Sequence, residues 1–189
     1  MARWQPDAPE RLAAAALDLF EEHGYENTTV IEIAERAGLT KSTFFRHFPD
    51  KREVLFGTGT VTGLLVEGIA SAPSVADPLD AVADALDALG RTFFTADRRE
   101  FSGRRQAVLN ANTELREREA LKRIDLTASM TEALNRRGVP SLTARVAAKL
   151  GTLVWEIAFD QWIDAHNSED FGPLARRVLA EVRAAGAVR

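Results

Sequence analysis

The chain has 189 residues, 46% of them apolar and 28% charged, which suits a soluble globular protein of one or two domains. It contains no cysteine, so disulfides, thiolate zinc sites and thiol catalysis are excluded, and no apolar run approaches the roughly twenty residues of a membrane span. Twenty-four Lys and Arg against 28 Asp and Glu leave a net charge of −4, which opposes indiscriminate binding to a polyanion.

The first helix is written by the apolar stripe Leu12, Ala15, Ala16, Leu19 and Phe20, with Asp7 and Glu10 to start it and Gly24 to stop it. Thr29 and Glu32 then stand at capping-box spacing, and Val30, Ile33, Ala34 and Ala37 recur on one helical face before Gly38 closes it. Thr40 caps a third helix that Pro49 ends within about two turns, too short to persist in water unless it packs or inserts. Two short helices joined by a glycine turn are the grammar of a helix-turn-helix, whose second helix enters the DNA major groove.

At about 100° per residue, Phe44 and Phe48 share one side of that second helix while Ser42, Phe45 and Arg46 point away. Lys41, Ser42 and Thr43 occupy its first turn and are donors of the kind that meet bases or phosphates; Arg46 and His47 follow, nearer the backbone. Beyond Pro49, Asp50 and Glu53 offer another box, which predicts a fourth helix with Lys51 and Arg52 at a phosphate-binding start. Residues 1–56 carry seven basic and ten acidic side chains, but the stretch 40–52 carries +3. The expectation is site-specific, salt-weakened binding to double-stranded DNA with poor affinity for random sequence.

From about Arg11 to Phe56, a quarter of the chain, the sequence resembles the DNA-binding domain of the TetR family of bacterial transcriptional regulators. Leu19-Phe20, Gly24-Tyr25, Thr28-Thr29-Val30, Ile33-Ala34, Ala37-Gly38-Leu39-Thr40, Thr43, Phe45, Phe48 and Lys51 carry the match. Two positions depart from it: Phe45 stands where the family usually has Tyr, and Thr40 where it commonly has Ser. Phe45 cannot hydrogen-bond a phosphate, so an apolar contact with a sugar or a thymine methyl is expected there. The resemblance assigns DNA contacts to Thr28, Thr29, Thr40, Lys41, Ser42, Thr43, Phe45, Arg46, His47 and Lys51.

No strand alternation follows, and the fold class is all-α: a three-helix DNA-binding domain at 1–56, then a helical effector-binding and dimerisation domain at 57–189, about nine helices in all. Gly57, Gly59, Gly63 and Gly68 thin the fourth helix, which ends at Ala72-Pro73-Ser74. Asp77-Pro78 starts a fifth, with Leu79, Val82, Leu86, Leu89 and Phe93 on one stripe, broken at Ala96-Asp97. A sixth is read from about Phe101 to Leu115, a seventh from about Glu119 to Arg137, and an eighth from a Ser141 cap to Asn167-Ser168. The eighth is apolar nearly all round, through Val146, Leu150, Leu153, Val154, Trp155, Ile157, Phe159 and Trp162. The ninth carries Leu174, Val178, Leu179 and Val182 into a frayed Ala, Gly and Arg tail.

A helix apolar on most of its circumference must bury more than one face, and a single recognition helix reads too few base pairs. A homodimer on a palindromic operator answers both needs, and the resemblance implies the same through the last two helices; Leu153, Ile157, Leu174, Val178 and Val182 are the interface candidates. The resemblance also implies a pocket for a small, largely apolar effector whose occupancy moves the fourth helix. Phe93, Gln106, Asn110, Met130, Trp155 and Phe159 are its lining candidates, although core packing alone accounts for each aromatic. Arg98, Arg99, Arg104, Arg105 and Arg116 offer an acidic effector as an alternative, or form a solvated face beside Glu100, Glu114, Glu117 and Glu119.

An all-helical enzyme is the rival class. Asp160 and Asp164 lack a second acidic cluster, His23, His47 and His166 form no Glu-x-x-His, and no glycine-rich phosphate loop occurs. No enzyme activity, metal or cofactor is therefore expected. With no signal-peptide pattern at its start, the expected protein is a cytoplasmic repressor, with an activator or dual regulator of the same fold as the alternative.

Overall fold

The computed structural model describes residues 7–57 and 59–186; the expected frayed tail at 187–189 lies outside them. Every regular element among these residues is helical, and no helix is long and apolar enough to cross a membrane. The chain divides into two compact units: residues up to Gly59 with Arg104–Glu119, and Thr60–Gly103 with the remainder from Ala120.

In the first unit, α1 (Ala8–His23), α2 (Val30–Arg36) and α3 (Lys41–His47) form the helix-turn-helix. The expected caps are present: Asp7 accepts from the Glu10 amide at 3.1 Å, and the Thr29–Glu32 box closes with bonds of 2.7 and 3.2 Å. Gly38 holds φ +66° at the turn, where a side chain would be strained. Leu12, Leu17, Ile33 and Phe44 are fully buried between the three helices.

The expected fourth helix does not begin at Lys51. Asp50 accepts from the Arg52 and Glu53 amides as a cap should, but the turn it starts is a 3₁₀ segment, Arg52–Leu55. Gly57 and Gly59 then take φ +69° and +82°, and α4 (Thr60–Ser71) starts afresh.

Residues 104–119, which a boundary after residue 56 leaves out, pack into this unit through ions. Arg104 is paired to Asp18 and Glu21, Arg118 to the buried Glu53, and Arg52 to Glu114; Arg105 donates to the Leu55 carbonyl and stacks 5.3 Å from the Phe56 ring.

In the second unit α5 (Pro78–Thr92), capped by Asp77, is the central helix, against which α4, α8 (Ser141–Ile163) and α9 (Phe171–Gly186) pack. Its crossings are close because they are made at glycine: a Cβ on Gly68 would lie 2.8 Å from Ala85 Cβ, and one on Gly90 2.9 Å from the Gly172 amide nitrogen. The intervening α6 (Arg99–Ala111) starts two residues before the expected place. It stops earlier too, because Asn112 accepts from the Leu115 amide and opens α7 at Thr113, ahead of the expected Glu119. α7 runs to Arg136. Ser141 is the first residue of α8 rather than its cap; Pro140 stands at that position and offers no side-chain bond.

Candidate nucleic-acid interface

α3 is held by two phenylalanines. Phe44 is fully buried and Phe48 nearly so, their rings 5.6 Å apart, which fixes the helix about its axis and decides what the opposite side presents. Thr40 accepts from the Thr43 amide at 3.1 Å, and the two hydroxyls lie 3.0 Å apart, so the first turn is closed before any ligand arrives. On the outward side Lys41, Ser42, Phe45 and Arg46 are exposed. Arg46 has no ion-pair or hydrogen-bond partner among the described residues, and the Lys41 ammonium rests 6.0 Å over the Phe45 ring. His47 is half-buried, its Nε2 without a partner among the described residues. This is a small surface of cations, hydroxyls and one bare ring on a rigid mount, the chemistry that a duplex groove accepts.

Three of the expected contact residues are engaged within the protein. Thr28 is 2% exposed and its hydroxyl is spent on the Leu19 and Gly24 carbonyls, so it fastens the α1–α2 loop instead of facing DNA. Thr29 is exposed but committed to its capping box. Lys51 donates to the Tyr25 and Thr28 carbonyls at 2.6 and 3.0 Å and so straps the loop, with one ammonium hydrogen left over. Arg52 beside it is tied to Asp50, whose carboxyl that hydrogen bond holds below the usual carboxylate range.

The effector and dimer candidates also sort themselves. Phe93, Met130, Trp155 and Phe159 belong to the second unit, whereas Gln106 and Asn110 lie in the first; Asn110 is exposed and accepts from Gln106, which also reaches Glu119. The signal missed in the sequence is Phe94, whose ring lies 4.6 Å from Phe171, 5.3 Å from Trp162 and 5.4 Å from Phe159. Trp162 Nε1 in this cluster and Trp155 Nε1, two turns earlier on α8, are buried without a hydrogen-bond partner among the described residues.

The arginine run is consumed by the fold. Arg98 stacks on Phe93, Arg99 donates to the Asn167 and Glu169 carbonyls, and Arg104 and Arg105 brace the first unit; Arg116 is exposed and reaches the Thr113 hydroxyl. Of the dimer candidates, Leu153 is exposed, and Ile157 and Val182 are half-buried. Leu174 and Val178 are 1% exposed within the second unit's own core and cannot meet a partner. The exposed apolar residues of α8 are instead Leu142, Val146 and Leu153.

Comparison with known proteins agrees with this geometry. The family described as bacterial regulatory proteins, tetR family, matches residues 12–57. The HTH-type transcriptional regulator TcmR of Streptomyces glaucescens is 39% identical over 84 residues, 43% of this chain and 37% of that protein. The chain spans about a third of the length of the curated relatives it matches. Over nearly the whole chain the fold is that of FadR of Thermus thermophilus, a TetR-family repressor solved with lauroyl-CoA (TM-score 0.56, 22% identity, 96% of each chain). It is likewise that of NalD, the secondary repressor of the MexAB-OprM efflux pump in Pseudomonas aeruginosa (TM-score 0.60, 21% identity, 93% of this chain and 94% of that one). Residues 12–57 are a helix-turn-helix domain of the kind found in bacterial regulatory proteins of the tetR family.

Proposed function

We propose that this DNA-binding regulator is a cytoplasmic repressor that binds a palindromic operator as a homodimer and is released by a small, largely apolar molecule. The observation that carries the DNA reading is the outward face of α3, where Lys41, Ser42, Phe45 and Arg46 stand exposed on a helix pinned by Phe44 and Phe48. Seven residues of helix span too few base pairs for specificity, and a two-fold pair reading half-sites about 34 Å apart supplies it. Support for a second copy comes from Val146 and Leu153 on α8, 50% and 43% exposed.

Support for an effector comes from the second unit, where the indole N–H groups of Trp155 and Trp162 are buried with no acceptor among the described residues. An unmade bond there costs about 1–3 kcal/mol, which a ligand carbonyl or hydroxyl would recover on entry. Such a ligand weakens operator binding only by its preference for the DNA-incompetent state, about 1.4 kcal/mol for each tenfold. The bound lauroyl-CoA of FadR belongs to that protein; here the arginines near α6 are occupied, so a neutral apolar effector fits better.

Selection of random oligonucleotides by the purified protein tests this. An enriched inverted repeat, bound by two copies, is expected; no enrichment at low ionic strength would end the DNA reading, and an enriched site bound by one copy would end the dimer.

A further inference from the structure

Phe45 is the one outward residue of α3 with no polar atom. Its ring is 47% exposed, while Phe20, Phe44 and Phe48 of the same unit are all buried. It is not loose: the buried Phe44 meets it edge-on at 5.6 Å and 78°, and Lys41, one turn earlier, sits over it. A ring held in water gains stabilisation wherever a complex covers it with apolar surface.

A duplex offers two apolar surfaces to a groove-bound helix: sugar C–H groups along the walls and the pyrimidine C5-methyl on the base edges. The helical wheel chooses between them. At 100° per residue the four exposed side chains span an arc with Lys41 and Arg46 at its edges and Phe45 and Ser42 astride its centre. The edges of a helix in a groove face the sugar–phosphate walls, and its centre faces the bases.

We infer that Phe45 reads a pyrimidine methyl group, thymine in ordinary DNA, at one position of each half-site, with Lys41 and Arg46 holding the walls on either side. The inference rests on α3 being the reading helix. It makes Phe45 a specificity residue and Lys41 an anchoring one.

Thymine-to-deoxyuridine replacement removes that methyl and nothing else. In the operator recovered by selection, each thymine is replaced symmetrically in both half-sites, and affinity is measured by fluorescence anisotropy. At one position the protein is expected to bind about fourfold more weakly per half-site, about fifteenfold for the pair. Phe45→Ala is expected to bind the thymine and uracil operators alike. Undiminished binding to every uracil operator overturns the inference, as does an operator without thymine in its half-sites. Loss of affinity in Phe45→Ala with no uracil effect marks a sugar contact and overturns it too. Failure to enrich any sequence would instead remove the DNA reading on which it stands. The replacement series uses the unmodified protein, so it holds whether or not the variant folds.

Discussion

The Lys51 ammonium lies 4.1 Å from the centre of the Tyr25 ring and donates to the Tyr25 carbonyl at 2.6 Å. One side chain thus ties the turn after α3 to the loop before α2, over a phenol whose ionisation burial pushes far up. Three attractions meet on one cation: two carbonyls and a ring face. Lys51→Met should therefore lower unfolding stability by about 1–3 kcal/mol in urea titrations. Among molecules that remain folded, the salt dependence of DNA binding should be unchanged. Full stability with a reduced salt slope would return Lys51 to the phosphate backbone.

The Gly90–Gly172 crossing gives a prediction of opposite sign to an ordinary helical glycine. A methyl on Gly90 would meet the Gly172 amide nitrogen at 2.9 Å and Phe171 Cδ1 at 3.2 Å, so α9 backbone, not a flexible tip, has to move. Gly90→Ala should destabilise by about 1–3 kcal/mol. Gly63, in α4 and with nothing within 4 Å of its added Cβ, should gain up to about 1 kcal/mol as alanine, through helix propensity alone. Thermal melts of the two variants moving in the same direction would refute the packing account.

What was legible in the sequence was local. The Thr29–Glu32 box, the Thr40 cap, the Gly38 turn and the division of α3 into buried Phe44 and exposed Phe45 each need only residues within a turn or so. The union of residues 104–119 with the first unit was hidden, because Arg104–Glu21 and Arg118–Glu53 join positions 83 and 65 apart and charge pairing carries no periodicity. Leu174 and Val178 show the other limit. An apolar stripe declares that a face is buried, not whether its cover is α5 or another subunit.

Asp87 sets an acid limit on the second unit. Burial raises its carboxyl, but hydrogen bonds from Arg176 of α9 and Arg91 of α5, with their charges, outweigh that and leave it below the usual aspartate range. A depressed acid stabilises fully above its unfolded value, about 3.9, and this contribution drains away as pH falls through the lower folded value. Asp87→Asn should therefore lose about 1–2 kcal/mol at pH 7, and the gap to the parent should narrow below about pH 4. A gap that stays constant from pH 7 to pH 3 would mean that the loss is steric, from the amide pressed against Gly172, which the carboxylate approaches closely.

The edge-and-centre arrangement of α3 separates affinity from sequence preference. Arg46 is exposed and has no ion-pair partner among the described residues, so each phosphate it neutralises should contribute about 0.9 to the slope of log affinity against log salt, and a symmetric pair of contacts about two. Arg46→Ala should flatten the slope by that amount and weaken every operator variant alike. Ser42→Ala, at the centre of the exposed arc, should leave the slope intact and change which base is preferred at one position per half-site, by about 1–3 kcal/mol of discrimination. Titrations at several salt concentrations on operators differing at single base pairs distinguish the two. If Arg46→Ala shifts sequence preference and leaves the slope alone, Arg46, which lies opposite Phe44 and Phe48 on the wheel, faces the bases, and the central position of Phe45 is lost.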